Sequence, residues 1–374
     1  MKRYRLAPLV GIVGVISAAA LSAQGKSHVD RRPAPGTVYT LSNALSGNAV
    51  LIFDRSGDGA LTPSGTVATG GTGTGAGLGN QGAIAISGND RWLLAVNPGD
   101  NTLSVLDIQN HGLRLTDVAE TGGTLPISVT EHDGLVYVVH ATSNNITGFR
   151  LGNNGRLRAL PGSSQPLGGS GLGPAQISFS PAGDLLVVTE KNVNKIVTFA
   201  IDRDGLPGQR KEQSASGTTP FGFAFGKRDQ LFVAEAFGGV AGASALSSYT
   251  VDDDGSLNSV SPSVGTGQTS ACWTAVTPNG RYVYVTNTGS GSITGYVIGH
   301  DGQIELLDAN GRTGVTGNGS TPIDVVVTPD GRFLYNVNSN SHTISAFRIE
   351  SDGALTPLAP ATGLPTGSTG LATR

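Results

Sequence analysis

The chain repeats itself. Seven short turns end in glycine after a polar residue: Asp58-Gly59, His111-Gly112, Asn154-Gly155, Asp204-Gly205, Asp254-Gly255, Asp301-Gly302 and Asp352-Gly353, spaced 43 to 53 residues apart. Asp-Gly and Asn-Gly tolerate positive φ at both central positions of a tight hairpin, so each marks a chain reversal. A second turn recurs with the same period, at Ser180-Pro-Ala-Gly, Thr277-Pro-Asn-Gly and Thr328-Pro-Asp-Gly, with diverged versions starting at Ser87, Glu131 and Gly226. Its proline fixes φ at the second position and its glycine suits the fourth. A third marker, Pro126, Pro174, Pro220, Ala271 and Pro322, opens a hydrophobic run in each period. A fixed period of this size means an array of one supersecondary unit.

Each period holds four short strand candidates, which in the last full copy are residues 323–327, 333–337, 343–349 and 355–359. Four strands in a unit of roughly 40–50 residues define a propeller blade. Six blades are complete and the seventh is split. "GSTGLATR" from Gly367 supplies one inner strand and the chain stops, while the N-terminal part begins without one. Asp58-Gly-Ala-Leu-Thr-Pro63 is identical to Asp352-Gly-Ala-Leu-Thr-Pro357, so the two ends complement each other. The expected fold is an all-β, seven-bladed β-propeller of four-stranded blades, closed by pairing the C-terminal strand with the N-terminal blade, which removes a free edge. Composition agrees: 56 glycines, 19 prolines and 14% charged residues, with no helical periodicity past the leader.

Residues 1–23 read as a secretory signal, with Lys2, Arg3 and Arg5 before an apolar run and Ser22-Ala23 at the cut. Residues 24–36 read as a linker and 37–374 as a single propeller. Export implies a periplasmic or secreted protein, a monomer, with no membrane attachment once the leader is removed. Losing three of 24 basic residues leaves 21 against 27 acidic ones, a net charge of −6, which excludes nucleic acid as a partner. Cys272 is the chain's one cysteine, so no internal disulfide forms; it is expected to be a buried, inert thiol.

In a propeller, loops joining strands two and three share one face with loops leading into the next inner strand, and ligands meet there around the channel. The end of strand two gives a ring of equivalent positions: Asn97, His140, Glu190, Glu235, Asn287, Asn338 and, more loosely, Asn43. Asparagine bonds its local backbone and tolerates left-handed φ, so its expected role here is a strand-ending turn. The exceptions carry chemistry. His140, Glu190 and Glu235 could do acid–base work on a polar substrate, and Lys191 could stabilise developing negative charge. Asn97, Asn287 and Asn338 would bind substrate beside them. Two residues past each inner-strand proline, Gln176, Trp273 and Asp324 are expected to line the channel, Trp273 as a stacking surface.

"GRYVYVTN" ending at Asn287 and "DGRFLYNVN" ending at Asn338, followed by "SITGYVI" and "TISAFRI", resemble the YVTN repeat and the lactonase-like seven-bladed propellers. That group is similar to 6-phosphogluconolactonase of the propeller type and to carboxymuconate cyclase. The resemblance implies a lactone hydrolase. Relatives often carry His directly after the inner-strand proline; this chain has Gly82, Ile127, Ala175, Phe221, Cys272, Ile323 and Leu371 there. They also tend to place Arg after a strand-two Asn, where this chain has Pro98, Thr288 and Ser339. Glu190 and Glu235 match the group's habit. The acid–base carry-over is partial, and a phosphorylated sugar lactone is disfavoured.

Gly77-Leu-Gly-Asn-Gln-Gly82 satisfies G-x-G-x-x-G but leads into a strand from a Gly/Thr-rich loop, so it is no dinucleotide motif. The stretch from Gly65 to Gly79 reads as a flexible loop over a blade boundary. No metal or cofactor is expected: "DRSGDG" at Asp54–Gly59 lacks the acidic residue that closes a calcium loop, and no paired-His motif occurs. Two functions follow: an exported hydrolase opening a cyclic ester on the channel face, with Glu190 or Glu235 activating water, His140 shuttling the proton and Lys191 polarising the carbonyl; or a non-catalytic propeller binding a small ligand or protein on that face.

Overall fold

Each hydrophobic run between two turn markers forms a strand, and the turns lay consecutive strands side by side. The computed structural model describes Met1 and residues 35–110, 112–252 and 254–374, so the expected leader and nearly all of the linker lie outside the described residues. The described chain forms seven antiparallel sheets arranged as blades of a propeller. Numbered from the N-terminus, the last blade contains Pro322–Val327, Phe333–Asn338, Thr343–Ile349 and Leu355–Thr362, from the channel outward. These bounds match the expected ones to within three residues.

Closure is as expected. Thr369–Thr373 pairs antiparallel with Gly36–Leu41 and becomes the inner strand of blade 1, whose outer strands are Ala49–Arg55 and Leu61–Ala68. The first strand thus begins one residue inside the expected linker. Thr40 Oγ1 donates to Gly370 O at 2.6 Å, and the carboxylate of Asp324 in blade 7 accepts the Gly370 N–H at 2.7 Å. The C-terminal strand is thereby held by both neighbours in the ring.

The repeated tyrosine and the repeated Asp-Gly turn explain each other. Tyr137, Tyr284 and Tyr335, buried in strand two of their blades, donate to the carbonyls of Gly205, Gly353 and Gly59 at 2.7–2.8 Å. Each glycine belongs to the outer hairpin of the next blade, so one hydroxyl ties neighbouring blades together. At Gly353, φ is +89° and a Cβ would sit 2.7 Å from the Tyr282 ring, which leaves room for glycine alone.

Inner strands carry a further device. The pairing of strands one and two shifts register just after the opening residue in blades 3 to 7, between Pro126 and Ser128, Pro174 and Gln176, Pro220 and Phe223, Ala271 and Trp273, and Pro322 and Val325. Such a bulge bends the strand and re-aims its side chains. The residues before these openings are left-handed: Leu125, Thr219, Ser270 and Thr321 have φ between 57° and 62°. This conformation is costly for β-branched threonine, and such strain concentrates at functional sites. Four strained residues therefore mark the channel face.

The stretch expected to be a flexible loop divides in two. Its first residues belong to the outer strand Leu61–Ala68. The remainder up to Ala76 bonds to Asn43, Ala44, Asn48 and Asp100, and the chain reaches the other inner strands from Gly79 to Gln81. Residues 77–82 precede the strand Ile84–Ile86, with no helix following the glycines.

Candidate functional site

The ring at the end of strand two is built from intrablade hydrogen bonds. Asn97 donates to Thr102 Oγ1 (3.0 Å) and Ser104 Oγ (2.7 Å). Asn287 does the same to Ser292 (3.2 Å) and Thr294 (2.8 Å), and Asn338 to Thr343 (2.9 Å) and Ser345 (2.8 Å). The amide of each buried asparagine thus ties strand two to hydroxyls five and seven residues on, at the start of strand three. These asparagines are not the left-handed residues of the turn. Positive φ falls four residues later, at Asn101, Asn144, Asn194 and His342. Asn43 is the exception, with φ of 48° and its amide donating to Thr74 Oγ1 and Ala76 O.

The three titratable members occupy the same buried position with different outcomes. Glu235 replaces the amide outright: Oε1 accepts from Gly217 N and Ser247 Oγ at 2.7 Å, and Oε2 from Ser263 Oγ at 2.6 Å. Burial pushes its pKa up while these three donors pull it back. His140 places Nδ1 3.2 Å from Asn145 O, so Nδ1 carries the hydrogen and Nε2 has no partner. Burial holds its pKa down at about 4, leaving it neutral at pH 7. Glu190 faces Lys195 and Val197 where the asparagine blades offer hydroxyls. Its Oε1 has no donor, and burial raises its pKa to about 7. Among the described residues no hydrogen bond joins His140, Glu190 and Glu235 to one another; each is engaged within its own blade or with the loop entering it.

The expected channel-lining residues bond to neighbouring inner strands. Gln176 donates to Phe223 O (3.0 Å) and accepts from Phe223 N (2.7 Å). Asp324 accepts from Gly370 N and from Thr369 Oγ1 (3.3 Å), with burial raising its pKa to about 7. Trp273 packs on Phe221 with ring centroids 4.9 Å apart and donates to Asn80 O at 2.6 Å.

That last contact shows what the glycine-rich segment does. Gln81 donates to Thr274 O (2.8 Å) and accepts from Thr274 N (2.9 Å), while its own N–H bonds Ala175 O (3.0 Å). Asn80 Nδ2 donates to Ile127 O. The segment therefore spans from blade 2 to the inner strands of blades 3, 4 and 6 and closes the channel with a polar floor. Lys191 Nζ donates to Gly79 O of this floor and lies 4.7 Å from the centre of the Phe221 ring. Burial lowers its pKa to about 8. Cys272 is a neighbour of Lys191; it is buried as expected, and its thiol is pushed up to about 12.

Around the floor stand the bulge residues that follow each inner-strand opening. Ala175 and Phe221 belong to blades 4 and 5 but pack in one apolar cluster with Cys272, Trp273, Ile323 and Leu371 from blades 6, 7 and 1. Phe221, Cys272, Ile323 and Leu371 each keep 6–8% exposure, whereas strand-two core residues such as Val187 and Val285 keep none. The inner ring thus borders a small opening. Grooves between blades lie at the opposite face: one of about 280 Å³ is lined by Gly88, Asn89, Asp133 and Gly134 from the turns between strands one and two.

Fold and site define a seven-bladed propeller whose channel mouth is ringed by apolar side chains with a lysine beside them. The chain belongs to the family described as Lactonase, 7-bladed beta-propeller, which it matches over residues 20–166 and 248–369. Glu190, Lys191 and Glu235 fall in the span between those two stretches. No curated protein sequence matches the chain. Among solved structures it is similar to a protein from Lactobacillus plantarum (16% identity, 91% of this chain and 100% of that one, TM-score 0.74). It is similar to a candidate 6-phosphogluconolactonase from Bacteroides fragilis (17% identity, 91% and 98%, TM-score 0.72). It is also similar to the periplasmic gluconolactonase of Pseudomonas aeruginosa (16% identity, 91% and 99%, TM-score 0.71). At these identities the likeness establishes the fold.

Proposed function

We propose that this protein is a hydrolase that opens a cyclic ester at the channel mouth, with Lys191 as the reacting group. The observation that carries the proposal is the position of Lys191: its ammonium reaches a carbonyl oxygen over an aromatic face, in surroundings that lower its pKa to about 8. A lysine so tuned supplies neutral amine near neutral pH. The neutral amine takes a proton from water as the water oxygen adds to the ester carbon. The resulting ammonium stabilises the oxyanion. On collapse the ring carbon–oxygen bond breaks, and the departing oxygen takes the proton from Nζ, giving a hydroxy acid. Glu190, with its free Oε1, is the carboxylate left to assist; Glu235 and His140 serve to hold their blades' channel-side ends.

Lys191→Arg tests the assignment. Arginine keeps the charge and cannot deprotonate. It should lower kcat at least 100-fold, as Lys191→Met should, and wild-type kcat/KM should rise with pH to a plateau above about 8. Arginine retaining most of the activity would reduce Lys191 to a carbonyl polariser. A second reading, a non-catalytic propeller binding a ligand at the same mouth, is favoured by one observation: Glu235 has both oxygens occupied and none of the three titratable ring groups meets another. It predicts ligand binding without turnover. Under either reading a small molecule is the partner. We further infer export from the leader and a monomeric state; among the described residues no helix is long and apolar enough to cross a membrane. Sequencing the mature N-terminus and measuring mass in solution test these two inferences.

A further inference from the structure

We infer that the channel mouth selects an uncharged lactone carrying an aliphatic or aromatic substituent, and rejects polyhydroxylated and phosphorylated ring lactones. The inference deepens the lactonase reading and rests on it. Its grounds are the two tiers of side chains around the mouth. The lower tier, the residue that follows each inner-strand opening in sequence, holds Gly, Ile, Ala, Phe, Cys, Ile and Leu, with no hydrogen-bonding side chain suited to a sugar hydroxyl. Phe221, Cys272, Ile323 and Leu371 of this tier share one apolar cluster and keep 6–8% exposure. In the upper tier, the residue following each ring position, Lys191 is the one charged residue; the others are Ala, Pro, Thr or Ser.

The polar side chains of the inner strands are engaged with neighbouring backbone, and the unpartnered His140 Nε2, Glu190 Oε1 and Asn80 Oδ1 are buried. Gln176 is bonded at both ends of its amide to Phe223, Asp324 through Oδ2 to Gly370 and Thr369, and Trp273 Nε1 to Asn80. A hydroxyl brought into the mouth would leave water without a replacement partner, which costs more than an added methylene gains. A phosphate would meet one lysine and no arginine, where bidentate recognition is the usual solution. An apolar substituent would instead cover the Phe221 and Ile323 side chains. The ester carbonyl has a visible precedent in the Gly79 carbonyl, which already accepts from Lys191 over the Phe221 ring.

The test is a pH-stat assay of the full mature protein on γ-butyrolactone, γ-octalactone, dihydrocoumarin and glucono-δ-lactone. Burial of each added methylene should raise kcat/KM about fourfold, so γ-octalactone should exceed γ-butyrolactone by more than tenfold, and glucono-δ-lactone should be the poorest substrate. Phe221→Ala should remove most of the octalactone advantage, read as the ratio of kcat/KM for γ-octalactone to that for γ-butyrolactone in the same protein. If that variant does not fold, Ile323→Thr reports the same preference. Glucono-δ-lactone turned over as well as the alkyl lactones overturns this inference and leaves the hydrolase reading intact. An unchanged octalactone advantage in a folded Phe221→Ala protein also overturns it. Absence of turnover on the whole panel defeats the hydrolase reading, and binding then decides the selectivity. In a Trp92→Phe protein, where Trp273 is the remaining tryptophan, fluorescence should respond to γ-octalactone and not to glucono-δ-lactone. A response to both, or to neither, overturns the inference.

Discussion

Glu190→Gln should make the protein more stable, and only at the alkaline side. The carboxyl is 1% exposed, Oε1 has no donor, and its pKa stands at about 7 against an ordinary 4.5. The folded state therefore binds the proton more tightly than the unfolded state. Below about pH 4.5 both states are protonated and the group costs nothing extra. As pH rises through 7, stability falls until the folded carboxyl also ionises. At about 1.4 kcal/mol per pH unit the full effect is at most ~3 kcal/mol, and relaxation around the charge reduces it to ~1–3 kcal/mol. Unfolding entropy of about 2.1 cal/mol/K per residue gives ~0.7 kcal/mol/K for a propeller of this length, so the melting temperature should rise by about 2–4 °C. Differential scanning calorimetry of wild type and Glu190→Gln should show that gain at pH 8.5 and almost none at pH 4.5. A gap independent of pH, or a variant less stable at both, refutes the claim that Glu190 is a buried carboxyl with an unbonded oxygen, whose burial outweighs the nearby Arg210 and Lys195.

Three further outcomes follow. Asn338→Ala removes donors to Thr343 and Ser345 and the acceptor of the Asn336 amide; chemical denaturation should show a loss of about 2–3 kcal/mol, with kcat unchanged. Gly353→Ala forces a methyl group against the Tyr282 ring at positive φ and should cost about 2–4 kcal/mol in the same assay, while Gly47→Ala, with nothing within 4 Å, should cost about 1 kcal/mol through φ alone. The Cys272 thiol, pushed up to about 12, should resist a disulfide reagent at pH 8 in native protein and react at once in denaturant.

Blade number and closure were legible because they rest on local turn chemistry. Asp-Gly and Pro-x-Gly turns need little tertiary context, and the identical hexapeptides at Asp58 and Asp352 exposed the split blade. The ring was legible as a position and misread in its reason. Asn97, Asn287 and Asn338 are followed at five and seven residues by Ser or Thr, a spacing visible in the sequence that explains the asparagine as a pin between strands two and three. The same spacing leaves Glu190, followed by Lys195 and Val197, and Glu235, followed by Val240 and Gly242, without those hydroxyls, and Glu235 finds Gly217, Ser247 and Ser263 instead. Gln176, Trp273 and Asp324 were placed in the inner ring correctly, but the bulge after each opening residue turns them toward neighbouring backbone, and a one-residue register shift leaves no mark in composition. The floor of the channel had no local signal. Glycine content suggested a flexible loop for residues 65–79, whereas Gly73 and Gly75 bond to Ala44 and Asn43 and Gly79 to Lys191, and the adjoining Asn80 and Gln81 are fixed by Trp273 and Thr274, 193 residues away in sequence.

The central claim is that Lys191 at the channel mouth is the group that acts on a lactone. The most direct measurement is the pH dependence of γ-octalactone hydrolysis by wild type and Lys191→Arg, each verified as folded by its melting curve. The account predicts a wild-type rate that climbs to a plateau above pH 8 and an arginine variant at least 100-fold slower across the range. Equal rates and equal pH profiles in the two proteins would contradict it.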